Sequence, residues 1–422
     1  MQDHPVLGQV ALGYSPMIDR QRSVIATRLT VFPQRPDAAP DARALLRALA
    51  EVWPAGDDGG ALNLTMRPLD PAAVARRTTP RPPPLVLNVA GEPLLRAVME
   101  AAPGPQLMIE VPAFMATDPA HLGALRALHA EGTVLVIKGR PLTPLSPDLL
   151  ALFSHSIIDV AEDRRDKTPP PPGVRRISTV QSGVRTTAEI EAAFERGSIA
   201  VLGWPLDDAA PRPTGRSIAV ADIGTVMELI SGVDREDPVP KLEAVLRRDP
   251  TIAFRLMRYL NSPAFGLSVE ISSFGHALML LGYQRLKRWL ALLLASSAKG
   301  ATAQPLMYAA VRRGVLMEAL CPEPGDSEQR GEFFICGVFS LLDRLLRQPF
   351  DELLRSVPVP ERVQQAIRGE GGPLQPFLDL VRAIESEAVF DIREQSEALL
   401  LGPAAVNQAV LTALAAARQL DS

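Results

Sequence analysis

Residues 84–139 read PLVLNVAGEPLLRAVMEAAPGPQLMIEVPAFMATDPAHLGALRALHAEGTVLVIKG. Three short β-rich runs, PLVLNVA, QLMIEVP and TVLVIKG, alternate with two segments, Glu92 to Ala101 and Pro119 to Ala130, whose apolar spacing and caps predict helices. Strands separated by helices of that length are joined most simply as parallel βα units. Four further runs extend the pattern on both sides: VIATRLTVF (24–32), HSIIDVA (155–161), RRISTVQ (175–181) and SIAVLGW (198–204). So many βα units within the first half of the chain predict a TIM-like barrel, with a doubly wound open sheet as the alternative.

The whole chain has 422 residues, more than one hydrophobic core usually holds, so two domains are expected. Prolines cluster at 80–84, 169–172 and 205–213. The last cluster, in PLDDAAPRPTGRS, separates the alternating region from one that reads helical throughout. The expected division is therefore 1–206, a Pro-rich linker at 207–216, and a helical domain at 217–422 with a C-terminal helical extension. The formal charge of −4 carries no basic excess of the kind a dedicated nucleic-acid binder shows. Only Cys321 and Cys336 are present, in no metal-ligand spacing, and the N-terminus lacks a basic region followed by an apolar core. The apolar run Trp289 to Ala295 is too short to span a bilayer. A reduced, cytoplasmic protein without membrane or nucleic-acid partners is expected.

The second half turns on residues 246–290, LRRDPTIAFRLMRYLNSPAFGLSVEISSFGHALMLLGYQRLKRWL. Asp249 is placed to cap a helix that begins at Pro250, and Asn261-Ser262-Pro263 stops it. Ser272 and Ser273 cap the next helix and Gly282 ends it. Ile252, Leu256, Tyr259 and Leu260 fall on one side of the first helix, with Arg255 and Arg258 toward the other. This order and spacing resembles the HDOD domain, a helical module related to metal-dependent HD phosphohydrolases. The resemblance rests on Asp249, Pro250, Asn261, Ser262, Phe265, Gly266 and Gly282. It implies an all-helical fold without the HD metal site: no histidine follows His276, and Ser340 and Leu341 stand where a His-Asp pair would be. His276 reads as a packed or surface residue. In GEFFICGVFSLLDRLL, Phe334, Val338, Leu341 and Leu345 form the apolar face of one amphipathic helix, and Asp343 is expected to be solvated or capping.

The first half resembles an EAL domain. The blocks YSPMIDRQRSVIATRL, LVLNVAGEPLL, QLMIEVP, GTVLVIKGRP, SIIDVA and VQSGVRTTAEIEAAFERG follow that family's blocks in order. The resemblance implies a modified barrel that hydrolyses cyclic di-GMP with divalent cations held by carboxylates, and EAL followed by HDOD is a known bacterial arrangement. Carried over residue by residue, however, the family's signature Glu falls on Arg28, its paired aspartates on Lys138 and Gly139, its Lys on Ile157, and its two late glutamates on Ser182 and Arg185. Asn88, Glu110 and Asp159 match, with Asn63 as a rival for the Asn role. Hard cations need several oxygen ligands, and three of the replacements are cations. The expectation is no metal, no cofactor and no catalytic residue.

Arg28, Lys138 and Arg185 are read as solvated strand-end residues, with a metal-free cyclic di-GMP receptor as the alternative. A residual phosphodiesterase built on Glu110, Asp159 and Asn88 is the other. The favoured expectation is an inert adaptor in a cyclic di-GMP-linked or two-component network, contacting signalling proteins such as a kinase, a response regulator or a diguanylate cyclase. The candidate contact surface is Arg255, Arg258, Arg285, Lys287 and Arg288. The oligomeric state stays open.

Overall fold

The computed structural model describes residues 4–35, 39–53, 84–104, 107–141, 145–163, 177–208, 220–246, 303–322, 327–356 and 359–420, and parts of 282–294. Eight strands close into one barrel: β1 (Val10–Asp19), β2 (Val24–Pro33), β3 (Leu85–Val89), β4 (Leu107–Pro112), β5 (Val134–Lys138), β6 (Phe153–Asp159), β7 (Ser178–Ser182) and β8 (Ala200–Leu202). From β2 to β8 every neighbour is parallel. The closed barrel answers the choice between barrel and open sheet.

β1 departs from the pure βα pattern. It runs antiparallel to both β2 and β8, so the barrel opens on a hairpin. Its sequence, VALGYSPMID, holds Gly13 and Pro16, which weaken a strand signal when read alone. The hairpin supplies what the local sequence lacks. Ser23 N–H donates to Asp19 Oδ1 at 2.8 Å, and Arg22 takes a left-handed φ of 66° to make the turn.

Between the strands, local chemistry sets the helices. Asp118 accepts from Ala120 N–H at the start of Pro119–Ala130, a helix with proline in its first turn. Thr186 and Glu189 form a reciprocal capping box on Thr187–Glu195.

One cluster of buried apolar side chains takes a residue from each strand: Met17, Ala26, Val86, Met108, Val136, Ile157, Val180, Ala200 and Leu202. Only the barrel interior brings all eight strands to one place. Side chains alternate across a strand, so the residue two positions on faces the same interior. On β2 to β7 those next positions are Arg28, Asn88, Glu110, Lys138, Asp159 and Ser182, and on antiparallel β1 the equivalent step runs back to Ser15. An apolar layer thus underlies a polar one, toward the C-terminal ends of the parallel strands.

The chain divides into two compact units, Met1–Asp208 with Arg382–Ser422, and Ala209–Val381. The expectation that everything after residue 217 completes the helical domain is corrected over its last part: Arg382–Ser422 belongs with the barrel. Buried Asn407, on the helix Pro403–Leu420, explains why. Its side chain accepts from Leu12 N–H at 2.9 Å and donates to the carbonyls of Leu7 and Val10, both at 2.7 Å. Arg393 donates to the Pro33 carbonyl at 3.0 Å. These contacts tie the C-terminal segment to the backbone of the 3-10 turn Pro5–Gln9, of β1 and of the end of β2.

The second unit is helical, with Val220–Asp234, Val239–Leu246, Ala303–Ala319, Ser327–Phe339, Leu342–Leu346, Phe350–Ser356 and Glu361–Arg368. Ala303–Ala319 and Ser327–Phe339 cross closely: a Cβ on Gly337 would lie 2.4 Å from the Arg313 carbonyl oxygen. Phe334, Val338, Leu341 and Leu345 are all buried, as their spacing predicts. They do not lie on one helix, because the chain breaks at Ser340–Leu341 before Leu342–Leu346. Asp343 is buried rather than solvated, and burial raises its carboxyl above the ordinary range.

Candidate functional site

The polar layer of the barrel is built around Arg28. Its side chain crosses the interior from β2 to β4, where Nε donates to Glu110 Oε1 at 2.7 Å and Nη2 to Glu110 Oε2 at 2.8 Å. This is the two-bond fork that guanidinium and carboxylate planes favour. Arg28 is only 8% exposed and Glu110 only 1%. Nη1 then donates to Glu387 Oε2 at 3.2 Å. Burial disfavours the Arg28 charge, but the carboxylates of Glu110 and Glu387 outweigh it, so its pKa rises above the ordinary value.

Glu387 arrives from the C-terminal segment, at the turn between Gln375–Glu385 and Val389–Ala398. Ser15 Oγ donates to its Oε1 at 2.7 Å, and Thr30 Oγ1 to its Oε2 at 2.8 Å. The backbone there is unusual, with Glu387 at a φ of +56°. The turn also sits directly on β1: a Cβ on Gly13 would lie 3.0 Å from the Ile384 carbonyl oxygen and 3.1 Å from the Glu387 Cα. Glycine at 13 is therefore what lets the turn approach.

The network continues around the barrel. Asn88 Nδ2 donates to Thr30 Oγ1 and Lys138 Nζ donates to Asn88 Oδ1, both at 3.0 Å. Burial lowers the Lys138 pKa, Glu110 opposes the shift, and the Arg28 charge adds to it. Asp159 stands apart at the end of β6, accepting from Ala161 N–H at 2.9 Å and from Ser182 Oγ at 3.4 Å. The positions predicted from the sequence are thus largely gathered, with three exceptions. Ile157 lies in the apolar layer below. Arg185 lies beyond β7, with a side chain 61% exposed and paired to Asp207 at 2.6 Å. Gly139 ends β5 at a φ of +83° and lines nothing within 4 Å of a Cβ.

Two expectations are corrected here. Arg28 and Lys138 are not solvated strand-end residues: one is buried in a fork with Glu110 and the other is tied to Asn88. The three cations of the receptor alternative are not brought together: Arg28 and Lys138 share the barrel interior, whereas Arg185 lies outside it, paired with Asp207. Ser15, Thr30 and Glu387 were not anticipated. Period-two alternation from Arg28 points to Thr30, whereas nothing local marks Glu387.

The divalent cations that the EAL resemblance implies do not fit these residues. Arg28 already takes both Glu110 oxygens, and a cation beside that guanidinium would meet like charge. Among the described residues, no group of three or more His, Cys, Asp or Glu could hold a metal ion.

In the helical unit, Gly282 has a left-handed φ of +74° and is helical together with Tyr283, while the helix it is expected to end lies outside the described residues. Lys287 is a correction. Its side chain is 12% exposed and ion-paired with Asp234, so it is not part of an outward basic face. Asn63, Asp249, Pro250, Arg255, Arg258, Asn261, Ser262, Phe265, Gly266, His276, Arg285 and Arg288 lie outside the described residues.

Among the described residues no single helix is long and apolar enough to cross a membrane. Comparison with known proteins agrees with the sequence motifs. Residues 223–348 match the HDOD domain. The chain is 26% identical over 298 residues to the uncharacterized protein YuxH of Bacillus subtilis, spanning 67% of this chain and 71% of that protein. It is 29% identical over 145 residues to the cyclic di-GMP phosphodiesterase CdgJ of Vibrio cholerae, 34% of each chain. Solved structures similar to the chain include the PaMucR phosphodiesterase bound to c-di-GMP, at 16% identity and a TM-score of 0.30 over 47% of this chain and 91% of that one. Another is BlrP1 of Klebsiella pneumoniae, at 16% identity and 0.30 over 50% and 58%. The chain pairs a closed eight-stranded barrel with a helical region in which residues 223–348 match the HDOD domain.

Proposed function

We propose that this chain is a signalling adaptor in a cyclic di-GMP-linked or two-component network, one that has given up phosphodiester hydrolysis and acts by binding other proteins. The observation that carries the reading is the Arg28–Glu110 fork. The barrel position where EAL enzymes keep a carboxylate here holds a buried guanidinium, and that guanidinium takes both oxygens of Glu110, one of the two matching carboxylates. Unit charges about 4 Å apart interact by roughly 4 kcal/mol at an effective dielectric near 20, so a cation placed there meets repulsion where it would need attraction. The match to HDOD over 223–348 and the similarity to a cyclic di-GMP phosphodiesterase support the network. The partners proposed are a kinase, a response regulator or a diguanylate cyclase, recognised by the helical half.

The test is incubation of the purified chain with cyclic di-GMP and Mg²⁺ or Mn²⁺. No turnover above a metal-only blank is expected. Turnover that Glu110→Ala abolishes would overturn the proposal.

A further inference from the structure

The Glu387 carboxylate is held as a bound ligand would be held. It brings one negative charge and two oxygens into the barrel, and each oxygen is met by a hydroxyl: Ser15 on Oε1, Thr30 on Oε2, with Arg28 Nη1 completing the cradle. The side chain is 16% exposed, at the edge of the interior rather than deep within it. The donors come from β1 and β2, while the acceptor comes from a segment more than three hundred residues later. We propose that Ser15, Thr30 and Arg28 form an anion site for a phosphodiester-type oxyanion, and that the C-terminal turn is a built-in competitor that keeps the site closed with Glu387.

Three observations set the ligand class. A phosphodiester has one charge and two non-bridging oxygens, so exchanging it for the carboxylate leaves the charge of the barrel interior unchanged. Lys138, two hydrogen bonds from Thr30 through Asn88, places a second cation beside the cradle for an anion larger than a carboxylate. The cradle also uses Arg28 only through Nη1, so the fork to Glu110 survives the exchange. The anion would sit directly on the guanidinium, where the EAL resemblance implies a cation.

The turn reaches the polar layer through the Glu387 side chain and rests on β1 at Gly13, while the rest of the tail is tied down separately, by Asn407 to the backbone of Leu7, Val10 and Leu12 and by Arg393 to the Pro33 carbonyl. The positive φ at Glu387 belongs to the stop of the helix Gln375–Glu385, where Ala388 N–H donates to the Ala383 carbonyl at 3.0 Å, so the turn keeps its shape through its own helix and not through the cradle.

The inference rests on the adaptor reading, which leaves the barrel interior without catalytic duty. The experiment uses the full chain in EDTA: wild type, Glu387→Ala, Glu387→Gln, and Glu387→Ala combined with Arg28→Met. Each is titrated calorimetrically with inorganic phosphate and with cyclic di-GMP, and its fold is checked by circular dichroism. Glu387→Ala is expected to bind at least one of these anions ten times more tightly than wild type, equivalent to about 1.4 kcal/mol. Addition of Arg28→Met should abolish the gain. Gain for phosphate alone supports the site with a free phosphate as its ligand; gain for the dinucleotide supports a phosphodiester. Glu387→Gln, which keeps a side chain of the same shape, should gain in the same direction and serves if the alanine variant does not fold. Equal binding by wild type and the folded Glu387 variants, or a gain that survives Arg28→Met, overturns the gate. Turnover with Mn²⁺ in the same samples would instead overturn the adaptor reading, so the two failures are distinct.

Discussion

Replacing Arg28 by methionine tests the core of the site. The side chain is removed at nearly constant length, so packing in the barrel is largely kept while the guanidinium is lost. Two carboxylates then remain without it: Glu110, 1% exposed, and Glu387, 16% exposed at its side chain. Breaking a buried ion pair by deleting one partner costs about 3–5 kcal/mol, because the surviving charge stays desolvated. For a domain of about 150–250 residues each kcal/mol lowers the melting temperature by about 2–4 °C, so the barrel transition should fall by about 6–20 °C. Added salt should not narrow the gap, since buried charges are screened far less than exposed ones. A second arm isolates the cause: adding Glu110→Gln to Arg28→Met removes the stranded charge and should recover part of the loss. The assay is thermal and urea unfolding followed by far-UV circular dichroism and tryptophan fluorescence. An Arg28→Met protein that melts with wild type, or a double variant less stable than the single one, would refute the assignment of Arg28 as the electrostatic keystone of the barrel.

Other perturbations follow from the same geometry. Asn407→Ala takes the side-chain partner from the Leu12 N–H and the Leu7 carbonyl, while the Val10 carbonyl keeps Gln34 Nε2, so it should destabilise the barrel by about 2–6 kcal/mol at roughly 1–3 kcal/mol for each of the two stranded groups, read by urea unfolding. Gly13→Val should push away the Ile384–Glu387 turn and raise hydrogen exchange there without dissolving the barrel, whereas unchanged exchange would contradict the close approach. Asp343 has a folded-state pKa raised by burial, so its penalty is absent below the unfolded value, about 3.8, and grows as pH rises through the folded value. Asp343→Asn should therefore stabilise the helical unit at pH 7 and lose that advantage below about pH 4, as compared by unfolding at both pH values. Proteolysis within the proline-rich stretch 209–216 should yield two fragments on a denaturing gel that still co-elute on native sizing, because Arg382–Ser422 belongs with the barrel; fragments that separate would contradict that division.

Much of this was legible in the chain itself. Strand runs alternating with capped helices dictated parallel βα units, because backbone hydrogen bonding and burial of one face leave few other solutions for that pattern. The resemblance to the EAL family marked Arg28, Asn88, Glu110, Lys138 and Asp159 as one site, and the barrel then shows them at equivalent positions, two residues beyond the apolar layer on successive strands. The HDOD assignment likewise came from residue order along one segment, where the caps and turns are local.

What the sequence could not decide was pairing at a distance. Whether Arg28 faces water or Glu110 depends on barrel closure, which brings β2 and β4 within reach across an interior that neither strand specifies. Local propensity also pointed the wrong way at β1, where Gly13 and Pro16 weaken the strand signal and only partners on both sides make it a strand. The final helices read as a continuation of the helical half, since chain adjacency is the default expectation. Tertiary structure alone returns them to the barrel, through an asparagine that satisfies backbone groups almost four hundred residues away and a glutamate that enters the polar layer. A one-dimensional pattern encodes which face of an element is buried; which distant charge it is buried against is settled only when the chain closes in three dimensions.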